Sequence, residues 1–490
     1  MSEEQLDEPD IKKQALTGFK WVALGKGVAT AYSFIITLMM VRLLAPADYG
    51  MQAMWEPAIE LAALLGVFCL DQSLVRHKVR DKRILAELFG ILILTNAFAA
   101  IVLLVLAPYI AAYFKVEELA RILRVMSLLI IIAPLRVIPN ALLDSQMKFK
   151  MKAQIEIASI ILASTLGIFM AYLGLGVWAL VFTMLTDAFL KIVLMALRNP
   201  WIIRPRFTIL YSQSVVRYAL RMMGAAAAVL IGAKATSVVA GPILGAELMG
   251  LYTVAITLAL LPMVKLMPIM NQVLFPTFAN IKNVEVRSYY LKILQISSII
   301  VFPVAVGMAV TAGLIVTVVL GSQWASLVAL LASLAVLTPV RMISQFSYTV
   351  LNASGSARRV ANITVGVALT NILLLYPATL LGGLYGLIAL SYALRILEYG
   401  LTVRALNLEL GVRLGEQLDS LKAAAMSSCV MVLVLFICHL MPNVVASEKI
   451  QLAAHVLIGA AVYCASLALF FGAQMKALIR LIHNKRVRPQ

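Results

Sequence analysis

Fourteen runs of mainly apolar residues follow one another along the chain, at 18–44, 47–70, 87–112, 119–143, 155–173, 176–198, 215–241, 250–277, 290–318, 325–352, 360–380, 384–406, 423–440 and 452–471. Each is close to or above the roughly 20 residues that a helix needs to cross a bilayer's hydrocarbon. None has the short alternating pattern of a membrane β-barrel strand. Hydrocarbon forces every backbone polar group to bond within its own segment, so the pattern predicts an all-α integral membrane protein with about 14 transmembrane helices.

The polar stretches between the runs differ in charge. Odd-to-even connections hold only Arg42, Lys115, Arg121 and Lys449. The opposite side, which includes both termini, holds Arg76, Lys78, Arg80, Lys82 and Arg83, then Lys148, Lys150 and Lys152, then Arg204 and Arg206. By the positive-inside rule this side is cytoplasmic, which predicts a multi-pass protein of the cytoplasmic (inner) membrane with both ends inside. The acidic start (Glu3, Glu4, Asp7, Glu8, Asp10) and the length of the first run do not fit a cleaved signal peptide. The external connections are short, whereas a membrane glycan polymerase or ligase would need a sizeable external loop to hold its polymer.

The pattern also repeats. PLRVIPN, Pro134 to Asn140, returns as PVRMISQ, Pro339 to Gln345, and LAPADYG, Leu44 to Gly50, answers LGAELMG, Leu244 to Gly250. Gly176 to Leu180 answers Gly383 to Leu387. Matches in the same order at nearly equal spacing mark a duplicated unit. With six runs per copy, the halves keep one orientation, as in parallel-repeat transporters. The expected organisation is a cytoplasmic N-terminal segment at 1–17, an N-lobe at 18–198, a cytoplasmic linker at 199–214 with Pro200 and Pro205, a C-lobe at 215–406, two further helices at 407–471 and a basic cytoplasmic tail at 472–490. The lobes are two pseudo-symmetric six-helix sets.

Composition changes this picture little. Of 490 residues 62% are hydrophobic and 13% charged, and the mean hydropathy is +0.96. The net charge of +18 sits between apolar runs rather than on a soluble domain, so it reports topology and not nucleic-acid binding. Cys69, Cys429, Cys438 and Cys464 lie in apolar runs with no paired spacing and are expected as packing residues, without disulfide or metal site. Gly25, Lys26 and Gly27 have no phosphate-cradling loop before them, and no HExxH or paired-cysteine motif occurs. These readings point away from an enzyme and imply no cofactor. Transport would draw on an ion gradient or on consumption of its product.

Charges inside the runs carry the candidate chemistry. A guanidinium at the bilayer centre costs about 2.5–3.5 kcal/mol on insertion scales, so it faces protein or water rather than lipid. Arg136 and Arg341, from the repeated stretch, lie about 10–16 Å from the inner ends of their runs at about 1.5 Å per residue, too deep for comfortable snorkelling. With Lys26, Lys265, Arg395 and Lys234 they form a candidate anion-binding set, since arginine can grip phosphate oxygens in a fork. Glu56 and Glu60 share one helical face, and Asp187 with Lys191 mirrors Arg395 with Glu398 in reversed charge order. Such acids either neutralise a neighbouring cation or bind a driving proton or cation, which makes Glu60, Asp187, Glu56 and Glu398 the candidates for ion coupling.

The LAPADYG and LGAELMGLYTVA turns, the DSQMKFKMKAQ segment after the fourth run, and the GLGVWAL and GGLYGLIAL turns make the chain resemble a known family over residues 12–410. It is similar to the polysaccharide-transporter (Wzx-type) oligosaccharide flippases of the multidrug/oligosaccharidyl-lipid/polysaccharide exporter superfamily. The resemblance implies a MATE-like fold and movement of a polyprenyl-pyrophosphate-linked oligosaccharide, destined for exopolysaccharide, O-antigen or capsule, by alternating access. Its expected partners are that lipid-linked substrate, membrane lipids, and a glycan polymerase with its export machinery. The alternatives are a multidrug or cation antiporter of the same fold, for which an acidic or aromatic cavity is expected, and a lipid II flippase. Pro46, where the second copy has Ala246, departs from the repeat.

Overall fold

The computed structural model describes residue 32 and residues 35–67, 69–70, 73–74, 81–146, 148–198, 204–280, 283–440 and 447–483. Among these there is no strand. After a helical stretch at 35–43 come α1 (Pro46–Val67), α2 (Lys82–Phe114), α3 (Glu118–Ile132), α4 (Pro134–Ser145), α5 (Phe149–Tyr172), α6 (Val177–Arg198) and α7 (Gln213–Asn280). Then follow α8 (Asn283–Val310), the short α9 (Ala312–Ile315), α10 (Leu327–Val336), α11 (Thr338–Ala353), α12 (Ala357–Leu410), α13 (Leu414–Leu440) and α14 (Glu448–His483). By length and composition nine of the described helices can cross a membrane, or ten if the bent pair α3 and α4 counts as one span. The protein is therefore a multi-pass membrane protein.

Helices α7 and α12 have 68 and 54 residues. Straight, they would run roughly 100 and 80 Å at about 1.5 Å per residue, about three times the hydrocarbon thickness of about 30 Å. Each breaks at a glycine with a conformation that L side chains resist, Gly245 (φ 78°, ψ 173°) and Gly383 (φ 53°, ψ −131°), so each holds two of the fourteen runs. Gly176, the partner of Gly383 in the repeated turn, has the same φ of 53°.

The repeat is visible in the helix breaks too. PLRV and PVRM each follow a joint, between α3 and α4 (a 45° bend) and between α10 and α11. Proline has no N–H to continue the ladder. Before each joint the backbone tightens to a three-residue step, Ala133 N–H to Ile130 O at 3.3 Å and Leu337 N–H to Leu334 O at 3.2 Å. Each arginine thus enters on the first turn of a new helix.

Two compact units divide at Gly250, Met1–Gly250 and Leu251–Gln490, rather than at the 199–214 linker. Two contacts explain why the first stretch of α7 goes with unit 1. Fully buried Glu87 of α2 accepts from the N–H groups of Leu210, Tyr211 and Ser212 and the hydroxyls of Thr208 and Ser212, at 2.8–3.1 Å, which straps the end of the linker down. The two repeated turns also meet: a Cβ on Gly50 would lie 1.6 Å from Ala246 O, and one on Gly250 would lie 1.8 Å from Pro46 O. The division into lobes at the linker therefore concerns repetition, not contact.

In unit 1 a core of Leu85, Leu88, Leu92, Val137, Ile138 and Val215 joins α2, α4 and α7, and Asn96 Nδ2 donates to Gly66 O at 3.1 Å to pin α2 on α1. In unit 2 Tyr290, Leu294, Phe346, Leu351 and Leu406 join α8, α11 and α12. The expected addition, α13 with α14, packs through Met431, Leu435, Tyr463 and Leu467 on Ile299 and Val306 of α8. Opposite these cores lie exposed apolar stripes such as Leu94, Phe98, Ile101 and Val105 of α2, spaced as one helical face and suited to lipid. The cysteines depart from expectation: Cys69 is buried, but Cys429 and Cys464 are exposed, because they fall on outward faces of α13 and α14 rather than inward ones. The tail at 472–490 likewise begins inside α14, which continues to His483 past non-helical backbone at Phe471.

Candidate functional site

Each unit holds a cluster of charged side chains among its apolar helices. In unit 2, Arg341 stands on the first turn of α11 and Tyr348 lies two turns further along the same face. Helix α12 contributes Arg395, Glu398 and Tyr399 after its glycine break. Arg395 Nη1 donates to Glu398 Oε2, and the Tyr348 hydroxyl donates to Glu398 Oε1 at 2.8 Å. Glu398 is 5% exposed, so both carboxylate oxygens are engaged out of solvent. Arg341 lies within electrostatic reach of Arg395, Glu398 and Tyr252.

This cluster is unfinished. Among the described residues, Arg341 Nε, Arg395 Nε and the Tyr399 hydroxyl are buried without a hydrogen-bond partner. A buried donor left unmade costs about 1–3 kcal/mol, and more on a charged group. Two guanidinium groups against one carboxylate also leave one positive charge over. Both deficits would be met by an anion with several acceptor oxygens, such as a phosphate.

In unit 1 the balance is reversed. Lys234, on the first stretch of α7, donates to Glu56 Oε2 at 2.8 Å and lies 3.0 Å from Glu60 Oε1, one turn along α1. Two carboxylates meet one ammonium, and one negative charge is over. On α6, Lys191 Nζ donates to Asp187 Oδ2 at 2.5 Å, while Asp187 Oδ1 is buried without a partner among the described residues.

The expected anion-binding set is thus divided. Arg341 and Arg395 come together in unit 2. Lys234 lies in unit 1, against Glu56 and Glu60. Arg136, on α4 beside Leu135, is exposed and makes no ion pair among the described residues. Lys26 lies outside the described residues, and so does the side chain of Lys265. Of the ion-coupling candidates, Glu56 and Glu60 share Lys234, whereas Asp187 and Glu398 pair within their own helices, as their spacing allows. Sequence reasoning passed over Tyr348 and Tyr399. Their signal was the spacing: seven residues after Arg341 and four after Arg395 place each on its arginine's face.

The profile of a family described as polysaccharide biosynthesis protein matches residues 39–329, more than half of the chain. The chain belongs to that family. Among this member's relatives are the teichuronic acid biosynthesis protein TuaB of Bacillus subtilis (24% identical, 77% of this chain and 79% of that one), the lipopolysaccharide biosynthesis protein WzxC of Escherichia coli (22%, 76% of each) and the succinoglycan biosynthesis transport protein ExoT of Rhizobium meliloti (26%, 65% of each). Among solved structures the fold is similar to the lipid II flippase MurJ in an inward closed conformation (TM-score 0.69, 15% identity, 92% of this chain and 99% of that one). It is also similar to an inward-facing multidrug resistance MATE family transporter of the MOP superfamily (TM-score 0.55, 16% identity, 82% and 94%). The MATE-like fold expected from the resemblance is the fold observed.

Proposed function

We propose that the chain is a flippase that moves a polyprenyl-pyrophosphate-linked oligosaccharide across the cytoplasmic membrane by alternating access, and is not an enzyme. The observation that carries this is the Arg341–Arg395 cluster, with its surplus positive charge and unpaired buried N–H groups, in a member of a polysaccharide biosynthesis family. A diphosphate diester offers the anionic oxygens that such donors need. Relatives named for teichuronic acid, lipopolysaccharide and succinoglycan biosynthesis support a glycan cargo. The exposed Arg136 adds a cation that would meet water rather than lipid at its depth. With both termini in the cytoplasm, the basic connections face the side where such precursors are made, and the partners would be a glycan polymerase and its export machinery.

The acidic cluster favours a second element, coupling to a proton or cation at Glu56 and Glu60, since one of these carboxylates has no cation to itself. A multidrug or cation antiporter would use the same cluster, but it would have no use for the surplus arginine in unit 2. Deleting the gene and extracting polyprenyl-linked sugars, with leaflet accessibility probed in spheroplasts, separates these readings. A complete lipid-linked repeat unit held on the cytoplasmic face supports the flippase. Intact surface polysaccharide with no such intermediate overturns it.

A further inference from the structure

Resting on that reading, we infer that Glu398 is a resident counter-anion: it occupies Arg395 in the empty site, and the diphosphate of the cargo must displace it, so that Glu398 sets how readily cargo is released. Three features of the cluster lead there. Glu398 is held from two helices, by Arg395 on its own helix and by Tyr348 on α11. Its hold on the arginines is partial, because Arg395 Nε stays free and Arg341, within electrostatic reach, is left without a partner at Nε. Its carboxylate is nearly sealed from solvent, so its charge is little screened where it meets Arg395.

The chemistry follows from charge. Two half-buried guanidinium groups with no carboxylate beside them would hold a diphosphate through several charge-assisted hydrogen bonds, and a carrier that binds so tightly turns over slowly. A tethered carboxylate offers one of those arginines another partner at all times. It weakens binding by the strength of the pair it forms, and it takes the arginine back as cargo leaves. Arg341, which has no ion pair among the described residues, would make the first contact, and Arg395 would join once Glu398 has turned away. Tyr348 shares the carboxylate's charge and so moderates the competition.

The test measures binding of undecaprenyl diphosphate to the full chain in lipid nanodiscs. Glu398→Gln is nearly isosteric, still accepts from Tyr348 and cannot compete as an anion. It should bind about tenfold more tightly, the order of one charge-assisted hydrogen bond no longer contested, and should export glycan several-fold more slowly. Tyr348→Phe leaves the carboxylate charge unshared and should weaken binding about threefold. Opposite signs for the two variants are the signature, since a merely structural role for the cluster would weaken binding in both. Binding by Glu398→Gln that equals or falls below wild type, in protein that elutes and unfolds like wild type, overturns the inference. So does binding by Tyr348→Phe that equals or exceeds wild type, which alone decides if Glu398→Gln does not fold. Failure of the unaltered chain to bind the lipid diphosphate overturns instead the flippase reading on which the inference rests.

Discussion

The two units contain charge clusters of the same size and opposite excess. Glu56, Glu60 and Lys234 in unit 1 make a trio in which the single cation is shared and both acids find a partner. Arg341, Arg395 and Glu398 in unit 2 make a trio in which the single acid is fully used and guanidinium donors are left over. A membrane interior tolerates charge when it is paired, so a surplus marks the place where something from outside is expected to complete the set. What distinguishes the clusters is therefore the sign of what is missing. By formal charge the unit 1 trio has one acid more than it has bases, and the unit 2 trio one base more than it has acids.

Removing the surplus should have the largest effect. Arg341→Ala is expected to lower glycan export about thirtyfold while the protein still inserts, and Arg341→Lys should restore only part, because an ammonium lacks the fork. Export assays alongside membrane quantification decide this; normal export by the Ala variant would end the claim that the surplus arginine matters. In unit 1, Lys234→Met leaves two carboxylates one turn apart with no cation. It should cost about 2 kcal/mol, below the 3–5 kcal/mol of breaking a fully buried pair, since the glutamate side chains are 36% and 41% exposed. Glu60→Gln should cost far less, because Glu56 still neutralises Lys234. Chemical denaturation in detergent reads both, and equal losses would mean that the trio is not a shared pair. Glu87→Gln provides a control away from both clusters. It replaces a carboxylate that accepts five hydrogen bonds and should lower the unfolding midpoint by about 5 °C.

The contrast between the clusters was only half legible in the sequence. The helices could be read because apolar length and the glycine turns are local: Gly245 and Gly383 sit where the runs end, and the helices break there. Pairing within one helix was legible for the same reason, as Asp187 with Lys191 and Arg395 with Glu398 show. Partners distant in sequence were not. Nothing local says that Lys234 meets Glu56 and Glu60, or that Glu87, at the start of an apolar run, closes on a linker more than a hundred residues later. Side-chain hydroxyls escaped as well, since a tyrosine in an apolar run reads as packing until its Oη is seen on a carboxylate.

The repeated arginine gives the smallest and sharpest test. Arg136 and Arg341 enter from the same local sequence, on the first turn after a proline joint, and the sequence treats them as equals. Their surroundings differ: Arg136 is exposed, while Arg341 is partly buried with its Nε out of solvent and unpaired, beside a second arginine. An exposed guanidinium attracts an anion through water and keeps most of its hydration, so its loss removes a weak, screened interaction. Arg136→Ala should therefore reduce export only about two- to threefold, and Arg136→Lys should restore it fully because a point charge suffices there. Measured beside Arg341→Ala at equal membrane abundance, equal losses would show that duplication preserved function along with sequence. A clear difference would show that the two halves diverged by burying one copy and leaving the other wet.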